Sequence, residues 1–331
     1  MLICDDRQLA MLPDVPYSKV NSPLSPRELF IARRINSLSP DVVFTPMQVI
    51  GRMGRKYGLV VTVHDLIYYE HRKPPGFLPW PIRLLWRLYH TMWWPQRILL
   101  NTADAVASVS RTTAGSIEKH QLTRRPIQLV TNAPPEGLIP RSINDVPEKS
   151  LVYMGSFMPY KNVETLIQSM KHLPDYTLHL LSRCDPRRKQ TLQRLVPPHA
   201  KVIFHNGVSD DEYHTYLRRA SALVTLSRAE GFGVPLVEAM ALGTPVIASN
   251  IEIFQEIGGE AAIFVDPDDQ ASFAGAVRSL EDPERRRSLN TAALSQSHKY
   301  TWAKSAEQLI SIASKVRKPA KNTHGPRSRA S

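Results

Sequence analysis

Hydrophobic residues occur along the chain in short runs, and the segments between these runs have helical periodicity. Eight runs are rich in β-branched residues and apolar on both faces, which is typical of buried parallel strands. They span residues 59–65, 104–110, 127–133, 151–157, 176–182, 201–207, 221–227 and 244–249. Helical patterns cover residues 111–120, 162–172, 187–196, 210–219, 234–242, 270–281, 283–298 and 302–316. This alternation predicts an α/β fold with doubly wound parallel sheets.

The alternation is interrupted at residues 134–150, which hold four prolines and little apolar periodicity. Such a segment is typical of a linker between domains. Two domains also agree with the length of 331 residues, because a domain commonly has about 150 residues. The predicted units are an N-terminal domain over 1–135, a linker over 136–150, a C-terminal domain over 151–300, a helix that crosses back over 301–316 and a disordered basic tail over 317–331.

The composition argues against a secreted, collagenous, integral-membrane or wholly disordered protein. With 42% hydrophobic and 22% charged residues, the chain has enough apolar side chains to form a core. No run of residues approaches the roughly 18 apolar positions of a transmembrane helix. Two cysteines, Cys4 and Cys184, cannot form a disulfide framework, and the N-terminus has no basic region followed by a long apolar stretch. We therefore expect a reducing, cytoplasmic compartment.

The net charge of +12 is unevenly distributed. Residues 1–150 hold 19 Lys and Arg against 12 Asp and Glu, and residues 315–331 hold six basic residues and no acidic one. The basic tail is either a solvated end or a source of nonspecific attraction to anionic surfaces. Because the sequence has no zinc-finger or RRM-like signature, we expect no nucleic-acid partner.

Residues 227–249, SRAEGFGVPLVEAMALGTPVIAS, are the richest in candidate chemistry. A strand is expected to end at Ser227, followed by a glycine-containing loop and a helix that begins near Val234. Glycines let backbone N–H groups approach a ligand, and a helix N-terminus attracts phosphate. Glu230 lies in the loop and Glu238 about one turn inside the helix, where carboxylates are suited to accept hydrogen bonds from sugar and ribose hydroxyls.

This segment, with two glutamates separated by seven residues, resembles the signature of retaining glycosyltransferases of the GT4 type, which have the GT-B fold. The resemblance covers about residues 40–312 and implies two Rossmann-like domains that face a cleft. It implies that Glu230 contacts the donor sugar and Glu238 the nucleotide ribose. The other donor-binding positions implied here are Gly231, Phe232, Gly233, Val234, Pro235 and Leu236.

A second segment, YMGSFMPYKNVETLI over 153–167, resembles the first strand and helix of the family's nucleotide-binding domain. By this match Lys161 holds the donor diphosphate, for which a mobile ammonium group is well suited. Gly155 and Ser156 belong to the same donor site by resemblance. The family often has an arginine directly after the strand-end glycine, so Ser156 marks the place of a missing second cation.

The N-terminal half has two further matches. The loop TVHDLIYYEH over 62–71 resembles a His-containing loop of the family, by which His64 reaches the donor sugar across the cleft. The alternative is that His64 caps a helix or lies in the core. Asp65 is expected to orient this loop. DAVASVSRTTAGSI over 104–117 also resembles a family segment, and Arg111 within it faces either the acceptor side of the cleft or solvent.

The function implied by the resemblance is transfer of a hexose, of the mannose or glucose type, with retention of configuration. The donor is a nucleotide-diphospho-sugar and the acceptor a hydroxyl of a glycan or lipid-linked molecule. Lys161 and the helix dipole can take the place of a metal, so we expect no metal and no other cofactor. The other hypothesis that we retain is a catalytically impaired GT-B remnant that binds nucleotide or serves as an interaction scaffold.

The doubt about activity comes from the N-terminus. Before residue 40 the chain has no glycine-rich loop, and LICDD resembles a second strand without its predecessor. A strand at YSKVN and a helix from Ser25 are expected to follow. The first strand–helix unit of the N-terminal domain is therefore expected to be missing, and in the family this unit contacts the acceptor.

Residues 80–100 hold four of the five tryptophans, with arginines interleaved among them. This composition is typical of a helix at the surface of an anionic membrane, which would place the chain at the inner face of the membrane. The alternative is an ordinary helix packed on the N-terminal sheet with its arginines in solvent. The sequence leaves both alternatives open.

Overall fold

The computed structural model describes residues 1–318 except for positions 6, 8, 10, 11, 13, 23, 24, 49, 50 and 75–77. The strands within these residues form three sheets, and every neighbouring pair of strands is parallel. Most of the tail that the sequence predicts to be disordered, residues 319–331, lies outside the described residues. Among the described residues, no helix combines the length and the apolar content that crossing a bilayer requires.

The N-terminal half contains a two-stranded and a four-stranded sheet. The strands are β1 (Leu2–Ile3), β2 (Ser18–Lys19), β3 (Val42–Thr45), β4 (Gly58–Val63), β5 (Ala105–Ser108) and β6 (Ile127–Leu129). The helices are a 3₁₀ turn (Pro26–Phe30), α1 (Ile31–Ser37), α2 (Ile67–Glu70), α3 (Trp80–Tyr89), α4 (Trp94–Asn101) and α5 (Arg111–Lys119). The larger sheet has the order β3-β4-β5-β6.

The C-terminal half contains a six-stranded sheet with the order β12-β11-β10-β7-β8-β9. Its strands are β7 (Glu148–Tyr153), β8 (Thr177–Leu180), β9 (Lys201–Phe204), β10 (Ala220–Thr225), β11 (Val246–Ser249) and β12 (Ala262–Val265). Its helices are α6 (Val163–Ser169), α7 (Pro186–Gln193), α8 (Asp210–Arg219), α9 (Val234–Ala241), α10 (Glu252–Gly258), α11 (Gln270–Ser279) and α12 (Pro283–Ser297). One more helix, α13 (Trp302–Val316), ends the described chain.

The strand order of the C-terminal sheet reverses between β7 and β10. Strands β8 and β9 extend the sheet to one side of this pair, and β11 and β12 extend it to the other. The crossover connections therefore leave toward opposite faces, and a crevice opens at the carboxyl ends of β7 and β10. This reversal determines where a ligand site can form.

The central strands are buried on both faces, as their continuous apolar runs predict. All six residues of β4 and all six of β10 are buried, so neither strand has a solvent face. Helices pack on both sides of these strands, and two separate hydrophobic clusters result in the C-terminal half. This layering is the doubly wound arrangement predicted from the sequence.

Helix α13 lies against the N-terminal sheet although it follows the C-terminal half in the chain. Its Ile312 is buried against Val60 and Ala107 of that sheet. The Ser305 hydroxyl donates a hydrogen bond of 2.5 Å to the carbonyl of Thr131. The chain thus passes between the halves twice.

Several predicted boundaries differ from the structure. Strand β7 begins at Glu148, so the last three residues assigned to the linker already pair in the sheet. The strands β3 and β12 are not among the eight predicted strands, although they are no shorter than several strands that are. The helix expected from Ser25 begins as a 3₁₀ turn before α1.

Helix α3 does not pack on the N-terminal sheet as an ordinary helix would. None of its ten residues is buried, and Leu84, Leu85 and Leu88 are all exposed. For α3 the alternative of a helix packed on the sheet is therefore wrong, whereas later in the same segment Leu100 is buried in the core beside β4, with Trp93 and Leu99 packed against that core. The contacts of α3 run instead to α2, where Trp86 meets Tyr68 edge to face with 4.9 Å between ring centroids.

Candidate functional site

A cavity of about 270 Å³ lies between the two halves, at the carboxyl ends of their strands. The loops after β4, β5 and β6 line it from one half, and the loops after β7 and β10 from the other. Ligands of open α/β sheets bind at these ends. The predicted site residues that line the cavity are His64, Asp65, Gly155, Lys161, Glu230, Gly231, Phe232, Gly233, Val234, Pro235 and Leu236.

Helix α9 points its N-terminus into this region. Gly233 precedes the helix with a φ of 91°, a left-handed conformation that a side chain would strain. Pro235 occupies the first turn, where its missing N–H removes no helical hydrogen bond. The first turn therefore offers backbone donors and a partial positive charge to an anion in the cavity.

Gly231 brings the two halves into close contact. A Cβ atom at this position would lie 2.4 Å from the carbonyl oxygen of His64 and 3.0 Å from the Cβ of Asp65. The carbonyl of Gly231 accepts a hydrogen bond of 2.9 Å from the Ser110 hydroxyl, which belongs to the N-terminal half. Only glycine fits here, since any side chain would collide with the opposite backbone.

Lys161 and Glu230 form an ion pair inside the cavity. The ammonium group of Lys161 donates to Oε2 of Glu230, and the two side chains are only 12% and 22% exposed. The residues are distant in sequence, but they follow β7 and β10, the two neighbouring strands at which the sheet order reverses. The topology thus places a cation and a carboxylate side by side at the end of the cleft.

Glu238 lies within α9, mostly shielded from solvent. Burial raises its pKa to about 6, although a hydrogen bond donated by the Tyr213 hydroxyl over 3.0 Å acts in the opposite direction. Burial and the charge of Glu238 raise the pKa of Tyr213 well above its usual range, so Tyr213 stays a donor. The free carboxylate oxygen is available to accept from a hydroxyl group.

His64 and Asp65 make different hydrogen bonds at the end of β4. Nε2 of His64 lies 2.7 Å from the carbonyl oxygen of Pro46, and because a carbonyl only accepts, Nε2 is the donor in this contact. Oδ1 of Asp65 accepts from the N–H of Ile67 over 3.1 Å and fixes the turn into α2. Asp65 therefore holds the loop in place, as expected from the sequence.

Three predicted residues do not line this cavity. Ser156 is exposed, and its carbonyl accepts from the Tyr153 hydroxyl over 2.6 Å. Glu238 lies one turn further along α9. Arg111 is exposed at the start of α5, where its backbone N–H donates to Glu256 over 2.7 Å.

Sequence reasoning missed two polar residues that topology brings to the cleft. Asn132 lines the cavity after β6, at a strand end where a polar side chain is a usable signal. Glu256 of α10 crosses between the halves, and its Oε2 accepts from the N–H and the hydroxyl of Thr112, each over 2.8 Å. Nothing in the local sequence distinguishes Glu256 from a solvated helix residue.

A second cavity, of about 170 Å³, adjoins the first and shares Asp65 and Glu230 with it. Its walls carry the hydroxyl groups of Thr112 and Ser116 and the charged side chain of Arg228.

Two parallel α/β halves that face one cleft define the class of protein, the GT-B fold. Residues 139–296 match the family described as Glycosyl transferases group 1, and residues 8–133 match Glycosyltransferase Family 4. The two matches follow each other along the chain, which therefore contains one domain of each of these two families.

Curated relatives include several mannosyltransferases. The chain is 37% identical to the O-antigen chain mannosyltransferase RfbU of Salmonella typhimurium, over 40% of this chain and 39% of that protein. It is 32% identical to the O-antigen chain mannosyltransferase B of Escherichia coli, over 48% and 44% of the two chains. An MMP alpha-(1->4)-mannosyltransferase of Mycolicibacterium hassiacum is 26% identical, over 82% and 68%. The matched segments thus span less than half the length of the first two relatives.

Solved structures share the fold at low sequence identity. A sucrose-phosphate synthase from Thermosynechococcus elongatus superposes with a TM-score of 0.71 at 21% identity, covering 92% of this chain and 86% of that one. Anabaena Alr3699/HepE in complex with UDP and glucose gives a TM-score of 0.70 at 17% identity, covering 93% and 88%. At these identities the likeness shows the fold alone.

Proposed function

We propose that the chain is a retaining hexosyltransferase that uses a nucleotide-diphospho-sugar as donor. The observation that carries the proposal is the position of Lys161 and Glu230. Their side chains meet beside the N-terminus of α9, where the strand order of the sheet reverses between β7 and β10. A cation and a helix N-terminus suit a diphosphate, and a neighbouring carboxylate suits sugar hydroxyls. Glu238 accepts from the ribose in the same arrangement.

The relatives support mannose as the transferred sugar. The O-antigen relatives are named for mannose transfer, as is the Mycolicibacterium relative, which matches over most of this chain. We propose that the acceptor is a hydroxyl of a glycan or lipid-linked intermediate of a cell-envelope polysaccharide. The second, polar cavity between Asp65 and Arg228 is where we place this acceptor.

The proposed reaction transfers the sugar on one face of the ring. The bond between the anomeric carbon and the diphosphate oxygen breaks, and a bond to the acceptor oxygen forms on the same side. The acceptor proton passes to the departing diphosphate. Lys161 and the α9 N-terminus stabilise the charge that develops on the leaving group, and Glu230 orients the sugar.

We also propose that no metal ion takes part and that the protein works in the cytoplasm, in peripheral contact with an anionic membrane. The support for the first point is that Lys161 already supplies positive charge in the cavity. The test is transfer in the presence of EDTA. Unchanged turnover is the expected result, and turnover restored only by a divalent cation would contradict it.

The central experiment joins a donor screen to a transfer assay. A donor at about 100 times its dissociation constant should raise the free energy of unfolding by about 2.7 kcal/mol, which a thermal shift detects. With the donor so identified, Glu230→Ala and Lys161→Ala should each lower kcat/KM about 100-fold or more. Glu260→Ala, at an exposed position in the same half, is the matched control.

The results separate the proposal from the alternative of an impaired remnant. The proposed enzymatic function is supported if the natural chain and Glu260→Ala transfer sugar and both site variants do not. Donor binding without any turnover, on any acceptor, supports the remnant. Equal turnover in the natural chain and both variants would show that the active site lies elsewhere.

A further inference from the structure

Helix α3 has its apolar stripe on the outside. Leu84, Leu85 and Leu88 lie on one side of the helix at helical spacing, and all three are exposed. The opposite side makes the contacts with the protein, through Trp86 and His90. In a helix of a water-soluble domain the apolar stripe normally faces the core, so this arrangement is inverted.

The exposed apolar surface continues onto α4. Trp94 and Ile98 are four residues apart on one side of this helix and are both more than half exposed. They line a shallow groove together with Tyr89 at the end of α3 and Glu28. We call the surface formed by Leu84, Leu85, Leu88, Trp94 and Ile98 the apolar face. Contiguous apolar surface of this kind marks an interaction site.

Arginines lie on both helices of the apolar face, and these helices hold no acidic residue. Residues 71–103 hold five Lys and Arg and no Asp or Glu. Arg87 on α3 and Arg97 on α4 are both exposed, and one N–H of Arg97 donates to the carbonyl of His120 over 3.0 Å. A surface with leucine and tryptophan at its centre and arginine at its rim complements a bilayer that carries negative headgroups.

We propose that the apolar face inserts into the headgroup region of a bilayer that contains anionic phospholipid, and that Arg87 and Arg97 contact the headgroups. The inference rests on the proposed function, which it deepens by naming the surface and the lipid. Trp86 packs on Tyr68 of α2, and α2 begins two residues after Asp65 of the cavity. The docked face therefore lies next to the loop that we assign to the acceptor, which suits a lipid-linked substrate.

The test is flotation of the full chain with vesicles of phosphatidylglycerol and phosphatidylcholine in equal parts, and with vesicles of phosphatidylcholine alone. The chain should float with the first vesicles, and binding should fall as salt is added. Leu85→Glu should weaken binding tenfold or more, because it removes a leucine that the bilayer would bury and adds a negative charge. Arg87→Gln should weaken it about fivefold.

Ile310→Glu is the matched control, because Ile310 is 65% exposed on a helix of the same protein and Leu85 is 66% exposed. It should bind vesicles like the natural chain. Failure of the natural chain to float would overturn the inference, as would equal binding of Leu85→Glu. If Leu85→Glu instead dissociates a dimer in sedimentation while neither this variant nor the natural chain floats, a second copy covers the face and the lipid is excluded.

Activity on a water-soluble acceptor keeps this inference apart from the proposed function. Leu85→Glu should transfer sugar to such an acceptor at the rate of the natural chain, because the apolar face does not line the cavity. If Leu85→Glu no longer floats with vesicles but still transfers sugar, the apolar face serves membrane binding and not the reaction itself. Flotation without any transfer would uphold the docking face and count against the enzyme.

Discussion

Glu256 holds the first turn of α5 across the cleft through Thr112. Its Oε2 accepts from both the N–H and the hydroxyl of Thr112, and its Oε1 accepts from the N–H of Arg111 over 2.7 Å. A carboxylate at a helix N-terminus is favourable for the helix dipole. Here the carboxylate comes from the other half of the protein, so the same contact fastens the two halves together.

Removing this carboxylate should loosen the cleft. Glu256→Ala leaves the α5 donors without their partner, which should lower the free energy of unfolding by about 1–3 kcal/mol. It should also increase the radius of gyration in small-angle scattering, because the halves separate more often. Glu118→Ala, at an exposed position on α5, should change neither quantity. Identical behaviour of the two variants would contradict the fastening role.

A methyl group at Gly231 should disturb the contact between the halves. Gly231→Ala places a Cβ 2.4 Å from the His64 carbonyl, so the loop after β4 must move. Overpacking of this kind costs about 1–3 kcal/mol of stability. A displacement of about 1 Å at the cavity should lower transfer about 100-fold.

Gly275→Ala is the control for this substitution. Gly275 lies within α11, and no atom lies within 4 Å of a Cβ built there. Alanine should therefore stabilise the protein by up to about 1 kcal/mol through its helix propensity. A thermal melt of both variants gives the comparison, and stabilisation by Gly231→Ala would refute the close approach.

The raised pKa of Glu238 predicts a pH-dependent cost to the fold. An unfolded glutamate ionises near pH 4.5, whereas folding moves the pKa of Glu238 to about 6. Between these values the folded chain binds more protons than the unfolded chain, so stability falls as pH rises. Above about pH 6 the full cost, up to about 2 kcal/mol, is present.

Glu238→Gln should therefore stabilise the protein at neutral pH. The amide oxygen can still accept from Tyr213. Its advantage over the natural chain should grow as the pH rises from 4.5 to about 6 and then stay constant. Denaturant melts along this range measure it. Donor binding should weaken at the same time, and a stability difference that is independent of pH would argue against the assignment of this pKa.

Arg141 attaches the linker to the C-terminal half. It is 8% exposed, and its guanidinium donates to the carbonyl oxygens of Gly243 and Ala220 and to Oδ1 of Asn290. Burial lowers its pKa to about 10, which leaves it charged at neutral pH. Arg141→Met should cost about 3 kcal/mol or more, because three buried acceptors lose their donor.

Two further variants define this effect. Arg141→Lys should recover only part of the loss, since one ammonium group cannot reach all three acceptors as the planar guanidinium group does. Arg194→Met, at an exposed position, should be neutral within about 0.5 kcal/mol. A neutral result for Arg141→Met in denaturant melts would mean that the linker is held by other contacts.

Local patterns in the sequence were sufficient for most of the fold. The run at β4 was recognisable because six buried residues in succession leave a continuous apolar signal. The helix at 210–219 has its predicted bounds, since Ser209 and Glu212 form a capping box at its start. Length does not explain why β3 and β12 were not predicted, because β5, β8, β9 and β11 are equally short and were.

The site was predictable only where a motif identified it. Lys161 and Glu230 came from separate segments, and the family resemblance rather than any spacing connected them. Their direct contact depends on β7 and β10 being neighbours, which is a property of the sheet order. Asn132 has only its place at a strand end as a signal and Glu256 has none, because the packing of the two halves brings them to the cleft. The exposure of α3 was equally undetermined, since the sequence shows the apolar stripe but not the direction in which it faces.

The return of α13 to the N-terminal sheet has a mechanical consequence. The two passages of the chain between the halves lie side by side, joined by the hydrogen bond from Ser305 to Thr131. We expect two adjacent connections to restrict the relative motion of the halves to rotation about an axis near that bond. When the cleft opens, the two halves should therefore separate most at the points farthest from this axis, as in a hinge motion.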